Sequence, residues 1–144
     1  MTGLEKNPPR GAVIAVAVSG GVDSAIAALW LKESGATVLC VHLTLPFYGP
    51  DDANRVTPDM MVELGRQLDL PISFIDASEH FEREVVSNFV NEYAQGRTPN
   101  PCVLCNKMIK FGFLWDAITR LGADYLATGH YARTRRCGGT NEWG

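Results

Sequence analysis

The sequence predicts an α/β fold, a parallel sheet with helices on both faces. Three observations predict it. Short apolar runs rich in β-branched residues alternate with helical patterns along most of the 144 residues, and the connections between them are short. The first such run passes through Ser19-Gly20-Gly21 straight into a helical pattern. Alternation of this kind gives a parallel sheet with right-handed crossovers, and such sheets bind ligands at the C-terminal ends of their strands.

Val13–Val18 is a buried-type strand, followed by a helix from about Val22 to Glu33 that stops at Gly35. Thr37–Leu43 is a second apolar strand. A polar loop with Pro46, Gly49, Pro50, Asp51 and Asp52 leads to a helix from about Pro58 to Asp69, with Pro58 suited to its first turn. Ile72–Ile75 is a third strand. Phe81, Val85, Val86, Phe89, Val90 and Tyr93 then recur at helical spacing behind Asp76 and Ser78 as candidate caps, a stripe expected in the core. Gln95 to Pro101 is a loop with two prolines and a glycine. Asn106–Leu121 is a helix ending at Gly122, and Tyr125–Thr128 is a fourth strand. The tail from Cys137 to Gly144 does not resemble the close of a domain, so residues 1–144 are expected to be the N-terminal part of a longer protein.

Hydrophobic residues at 46% and charged residues at 20% are ordinary for a globular domain. No apolar run reaches bilayer-spanning length, and Met1–Arg10, polar with Pro8-Pro9, is no signal peptide. A cytoplasmic protein with no membrane partner is expected, its Cys40, Cys102, Cys105 and Cys137 reduced. The net charge of −3 conceals an asymmetry. Residues 1–96 hold six Lys/Arg and thirteen Asp/Glu, whereas residues 97–144 hold seven Lys/Arg and three acids. A polyanion would dock on the C-terminal part, with Arg97, Lys107, Lys110 and Arg133 on its phosphates; a scattered solvated surface is the alternative.

Ala17-Val18-Ser19-Gly20-Gly21-Val22-Asp23-Ser24 is the most informative segment. A strand entering a helix through a Gly-rich turn presents backbone N–H groups with the positive end of the helix dipole behind them. The two glycines let the backbone approach an anion, and Ser19 and Ser24 add hydroxyl donors. Asp23 would repel a bare phosphate, which points to a metal ion or a metal-bound pyrophosphate. The loop has neither the lysine pattern of a P-loop nor dinucleotide-fold glycine spacing. An ordinary βα turn is the competing reading.

Cys102-Val103-Leu104-Cys105 is the second informative feature. Such a pair can ligate a metal or cluster, form a redox disulfide, or set a nucleophile beside a resolving thiol. Near a helix N-terminus, with Lys107 and Arg97 close in sequence, the thiols are expected to have lowered pKa values. Structural zinc, completed by His130, Cys137 or His42, and two inert buried cysteines remain as alternatives.

The Ser19–Ser24 loop resembles that of the ATP pyrophosphatases, which cleave ATP between its α- and β-phosphates. Together with Gly96-Arg97-Thr98-Pro99-Asn100-Pro101-Cys102, Cys105-Asn106-Lys107, Ile109-Lys110-Phe111 and Leu121 through Thr128-Gly129-His130-Tyr131-Ala132-Arg133, the chain resembles the tRNA-specific 2-thiouridylases from about Ala12 to Arg133. The resemblance implies a Rossmann-like sheet of the adenine nucleotide alpha hydrolase type and an adenylating domain, with the family's connecting domain and C-terminal β-barrel lying beyond these residues. It implies that ATP, with Mg2+, adenylates the C2 oxygen of the tRNA wobble uridine, after which a persulfide or sulfide donor displaces AMP. It further implies that Ala17, Val18, Ser19, Gly20, Gly21, Val22, Asp23, Ser24 and Gly129 bind the nucleotide, Asp23 through Mg2+, while Leu43 offers backbone to the adenine. Asn100, Pro101 and Cys102 would hold the target base, His130 would contact tRNA, and Cys105 with Cys102 would be catalytic. A Cys-x-x-Cys pair at this place is similar to members proposed to hold an iron–sulfur cluster, here [4Fe-4S]. Two other functions remain open: an ATP pyrophosphatase acting on a small molecule, and a non-catalytic nucleotide- or metal-binding module.

Overall fold

The apolar run Val13–Ala17 forms β1, an inner strand of a four-stranded parallel sheet ordered β3-β2-β1-β4. The computed structural model describes residues 11–46, 56–131, 134–137 and 140–143, the last two stretches as backbone alone. β2 spans Thr37–Thr44, β3 Ile72–Asp76 and β4 Tyr125–Thr128. Val16 pairs with Cys40 on one side and Ala127 on the other. Asp124 locks the start of this pairing: its N–H donates to the Val13 carbonyl at 2.8 Å and its carboxylate accepts the Val13 N–H at 3.0 Å.

Two helical layers sandwich the sheet. On one face, Ile14, Val16 and Cys40 pack with Ala28 and Leu31 of α1 (Val22–Glu33) and Met61 of α2 (Pro58–Leu68). On the other, Ala15 and Val41 meet Leu114 and Ile118. Successive β1 side chains thus enter opposite layers, which is why the strand is continuously apolar rather than alternating. The expected α/β class with helices on both faces is the observed one. Thr57 caps α2 by accepting the Met60 N–H at 3.3 Å, and Pro58 occupies its first turn. At its other end Lys32 donates to the Leu68 and Asp69 carbonyls at 2.9 and 3.0 Å, a cation on the negative end of the helix.

Three expectations change. The helix expected from Asn106 begins five residues earlier. α5 (Pro101–Cys105), a π-helical segment (Asn106–Phe113) and α6 (Leu114–Arg120) run on without a break, so the cysteine pair lies inside the helix. Asn100 starts it, its side chain accepting the Val103 N–H at 3.2 Å. The second change concerns the stripe from Phe81 to Tyr93, which occupies α3 (Ser78–Phe81), a π segment (Glu82–Val86) and α4 (Ser87–Ala94). Val85 is buried with Ala77 and Ile109, but Phe89, Val90 and Tyr93 are 38%, 57% and 58% exposed. Helical spacing produces an apolar face without saying what covers it; beyond Val85 the helix adds nothing to the described core, and Phe89 meets Tyr93 instead, with ring centroids 4.8 Å apart and the rings inclined at 60°. Neither Asp76 nor Ser78 occupies the capping position, which falls on Ala77; Asp76, one residue before it, accepts the Ser78 N–H at 2.9 Å. Third, the tail contains β5 (Thr134–Cys137) paired antiparallel with β6 (Thr140–Trp143), which the sequence did not suggest. Among the described residues, no helix is long and apolar enough to cross a membrane.

Candidate functional site

Strand order creates the site. The chain runs from β1 outward through β2 to β3, then returns to lay β4 on the far side of β1. The C-terminal ends of β1 and β4 therefore diverge at a topological switch point, where open parallel sheets form their ligand crevice. A cleft sits there. Ala17, Val18, Ser19, Gly21, Asp23 and Ser24 form one wall, Thr128, Gly129 and His130 another, and Lys110 and Leu114 close it from the opposite layer.

Gly20 turns the loop with φ +87, a left-handed conformation that favours glycine, and any Cβ there would meet Val56 Cγ2 at 2.9 Å. Gly21 precedes α1 in extended conformation, and no side chain caps that helix end, which leaves its first N–H groups to whatever enters the cleft. Ser24 is not an outward donor as expected. It is 3% exposed, its hydroxyl donates to the Gly21 carbonyl at 2.9 Å, and it accepts the Ser19 N–H at 3.1 Å. Its work is to hold the turn. Gly129 touches this turn directly, since a Cβ would lie 2.7 Å from the Ser24 nitrogen and 3.0 Å from the Asp23 carbonyl carbon. Asp23 is exposed, and its Oδ1 accepts the Tyr131 hydroxyl at 2.8 Å.

Three residues expected with this group lie apart. Gly20 lines a different hollow, beside Val56 and Met61. Val22 is 68% exposed, outside the cleft lining. Leu43 pairs with Ile75 in the sheet and packs among apolar side chains of the second layer.

A second cleft adjoins the first. Phe81, Val85, Pro101, Cys102, Cys105 and Asn106 line it, and it shares Lys110 and His130 with the cleft at the switch point. Cys102 is exposed and Cys105 half-buried, both as free thiols. Burial pushes the Cys105 thiol above its usual pKa, against the pull of the Lys110 ammonium, with the neighbouring Cys102 adding to the rise. This reverses the expected lowering: the helix N-terminus and nearby cations were legible, but the walls that strip water from Cys105 were not. His130 Nδ1 hydrogen-bonds Thr128 Oγ1 at 2.8 Å, and the ring stands 6.2 Å from Phe111.

The basic residues separate. Arg97 is occupied: its Nε donates to Glu92 at 2.6 Å and its Nη1 to Gln95 at 2.5 Å, which lowers the Glu92 pKa. Lys107 is exposed on the π segment, Lys110 faces the two clefts, and Arg133 lies outside the described residues. Among the described residues no three His, Cys, Asp or Glu side chains gather as a metal site. His42, a candidate zinc ligand, instead bonds the Val18 carbonyl through Nδ1 at 2.8 Å and meets Phe74 edge-on. Sequence reasoning missed the Thr128–His130 bond, the Tyr131–Asp23 bond and the position of Lys110 between the clefts. Only the adjacency of Thr128, His130 and Tyr131 in one motif hinted at the first two.

A family model described as tRNA methyl transferase HUP domain matches residues 12–142. The tRNA-specific 2-thiouridylase MnmA of Desulfosudis oleivorans is 44% identical over 133 residues, covering 92% of this chain and 35% of that protein. The protein of the same name from Thermus thermophilus is 44% identical over 136 residues, covering 83% and 36%. The chain thus spans about a third of the length of these curated relatives. Among solved structures, a glutamine-dependent NAD+ synthetase from Acinetobacter baumannii aligns with a TM-score of 0.49 at 14% identity, over 81% of this chain and 21% of that one. With its model matched across nearly the whole sequence, the chain belongs to the tRNA methyl transferase HUP domain family.

Proposed function

We propose that residues 1–144 are the ATP-pyrophosphatase (adenylating) domain of an enzyme that 2-thiolates the wobble uridine of tRNA, the remaining length typical of its relatives supplying further tRNA contacts. One observation carries the reading: the glycine loop and the cysteine pair open onto adjoining clefts that share Lys110 and His130. A nucleotide held at the first is within reach of sulfur held at the second.

In the proposed reaction the uridine C2 oxygen attacks the α-phosphorus of ATP and the bond to pyrophosphate breaks. Sulfide, or the terminal sulfur of a persulfide, then attacks C2 and the C2–O bond to AMP breaks. Where a persulfide attacks, a second thiol then attacks the carrier's sulfur, so that the S–S bond to the transferred sulfur breaks and the two thiols are left as a disulfide. Ala17 to Ser24 line the triphosphate site, and the uncapped N–H groups of Val22, Asp23 and Ser24 at the start of α1 cradle it, the Gly20 turn and the Gly129 contact holding that backbone in place. Leu43, whose side chain packs in the second layer outside the cleft, offers only its backbone at the C-terminal end of β2 to the adenine. Asp23 fits Mg2+ binding, because this ion takes one or two carboxylates and completes its shell with substrate phosphates and water. Bound there, Mg2+ supplies charge neutralisation to the leaving pyrophosphate. Cys105 and Cys102 present sulfur, Asn100 and Pro101 border the place of the target base, and His130 meets the tRNA. Lys107 and Arg133 take its phosphates. A [4Fe-4S] cluster asks for about four thiolates; the described residues offer two here, so the donor set does not fit and no step is assigned to a cluster.

The test is calorimetry with magnesium and ATP. A Cβ at Gly21 meets only Ser19 Oγ at 3.5 Å, an ordinary contact, so Gly21→Val folds while its branches fill the cleft. Both Gly21→Val and Asp23→Ala are expected to lose ATP binding with the melting temperature kept. Unchanged affinity in both overturns the reading.

A further inference from the structure

Lys110 is the one cation among the described residues that lines both clefts. It is half-buried, and none of the ion pairs among the described residues uses it, in contrast to Arg97 on Glu92. Its position follows from the π segment. Residues five apart in an α-helix point about 140° away from each other, because each residue turns the helix by roughly 100°. An i→i+5 repeat widens the turn and closes most of that angle. The segment from Asn106 to Phe113 has this repeat, its last bond running from the Leu114 N–H to the Ile109 carbonyl. Lys110 is thereby swung round to the side of Cys105, five residues before it, and lies against the wall that carries Ser19, Asp23 and Ser24. An α-helical Asn106–Phe113 would leave the thiol and the ammonium on different sides.

We propose that Lys110 is a shared cation that joins the two half-sites: its ammonium contacts a phosphate of the bound nucleotide and favours the thiolate of Cys105. The pull that Lys110 exerts on the Cys105 thiol, against the effect of burial, agrees with this. The proposal rests on the nucleotide reading above and gives Lys110 a different task from the surface contact with RNA phosphate that charge alone suggests.

The experiment uses the chain with Cys102→Ser and Cys137→Ser, which leaves Cys105 and the wholly buried Cys40, so that alkylation reports on Cys105. The pH midpoint of Cys105 alkylation and the affinity for magnesium-ATP are measured for Lys110, Lys110→Met, Lys110→Arg and, as a neighbouring cation, Lys107→Met. Lys110→Met is expected to raise the alkylation midpoint by about one pH unit, as loss of an adjacent opposite charge does. It is also expected to weaken ATP binding about tenfold, the scale of one charge-assisted hydrogen bond. Lys110→Arg restores most of both and Lys107→Met moves neither, at melting temperatures that match. If the Lys110 parent binds ATP but Lys110→Met leaves either quantity unmoved, or Lys107→Met shifts both equally, the shared-cation inference falls and the nucleotide reading stands. If the parent binds no ATP, the nucleotide reading falls and takes the inference with it.

Discussion

Tyr131 donates its phenolic hydrogen to Asp23 Oδ1 at 2.8 Å, joining residues 108 positions apart across the switch point. The bond raises the Tyr131 pKa, because a phenolate would lose it and face the carboxylate. It also takes up an oxygen that a cation could use. Both residues are exposed, so the tie is weak enough to open.

Tyr131→Phe should therefore make Asp23 a better cation ligand. The Mg2+ concentration that gives half-maximal ATP binding is expected to fall by up to about fivefold, the range of an exposed charged contact. In ultraviolet titration, the difference between the parent and Tyr131→Phe should show a phenol ionising above the ordinary value, and Asp23→Asn should bring it back down. A Mg2+ requirement that rises in Tyr131→Phe would contradict this account.

Gly129→Ala tests how closely the two loops meet. Its Cβ would sit 2.7 Å from backbone that cannot rotate away, so β4 or α1 must shift. A loss of about 1–3 kcal/mol is expected, as for overpacking a tight site. Thermal denaturation reads it, with Gly21→Ala, whose Cβ has room, as the comparison.

The three described thiols should alkylate in an order set by access and burial. Cys102, exposed, reacts first; Cys105 follows; Cys40 is last, wholly buried with its pKa pushed up to about 11. The raised value also makes stability depend on alkaline pH. The unfolded chain loses this proton near the ordinary value of 9.0 and the folded chain only near 11, so the contribution is complete below 9 and fades as pH rises to 11. Cys40→Ala should remove this alkaline loss in denaturant titrations, at a lower baseline stability from the cavity it leaves.

RNA binding should distinguish two basic residues that charge counting treats alike. Replacing Lys107, exposed, with Ala is expected to reduce the salt slope of tRNA affinity by about one. Arg97→Ala should change it less, because its guanidinium already neutralises Glu92. Filter binding across a salt series decides, and equal effects would count against this division.

The strand, glycine turn and helix from Val13 to Glu33 were legible because each depends on neighbours in sequence: β-branched residues, paired glycines, a helical pattern. The cysteine pair, three residues apart behind Pro101, was legible for the same reason. Their meeting was not. Lys110 reaches both clefts through a π register that shows neither the 3.6 nor the 2.0 period, and the rise in the Cys105 pKa comes from walls supplied partly by Phe81 and Val85, twenty or more positions earlier. The exposed half of α4 failed for the opposite reason: its periodicity was real, but no described element covers it.

The pairing of β1 with β4 also imposes an order on synthesis. β2 follows β1 after one helix, so one edge of β1 closes early, whereas Asp124, which locks the other edge, lies 111 positions beyond Val13. Until β4 leaves the ribosome, an apolar strand keeps an open edge and the glycine loop has no opposing wall. Such late, long-range closure is slow and vulnerable to wrong pairing. A nascent chain halted before Tyr125 can already contain the whole glycine loop and both cysteines, yet it has no pocket.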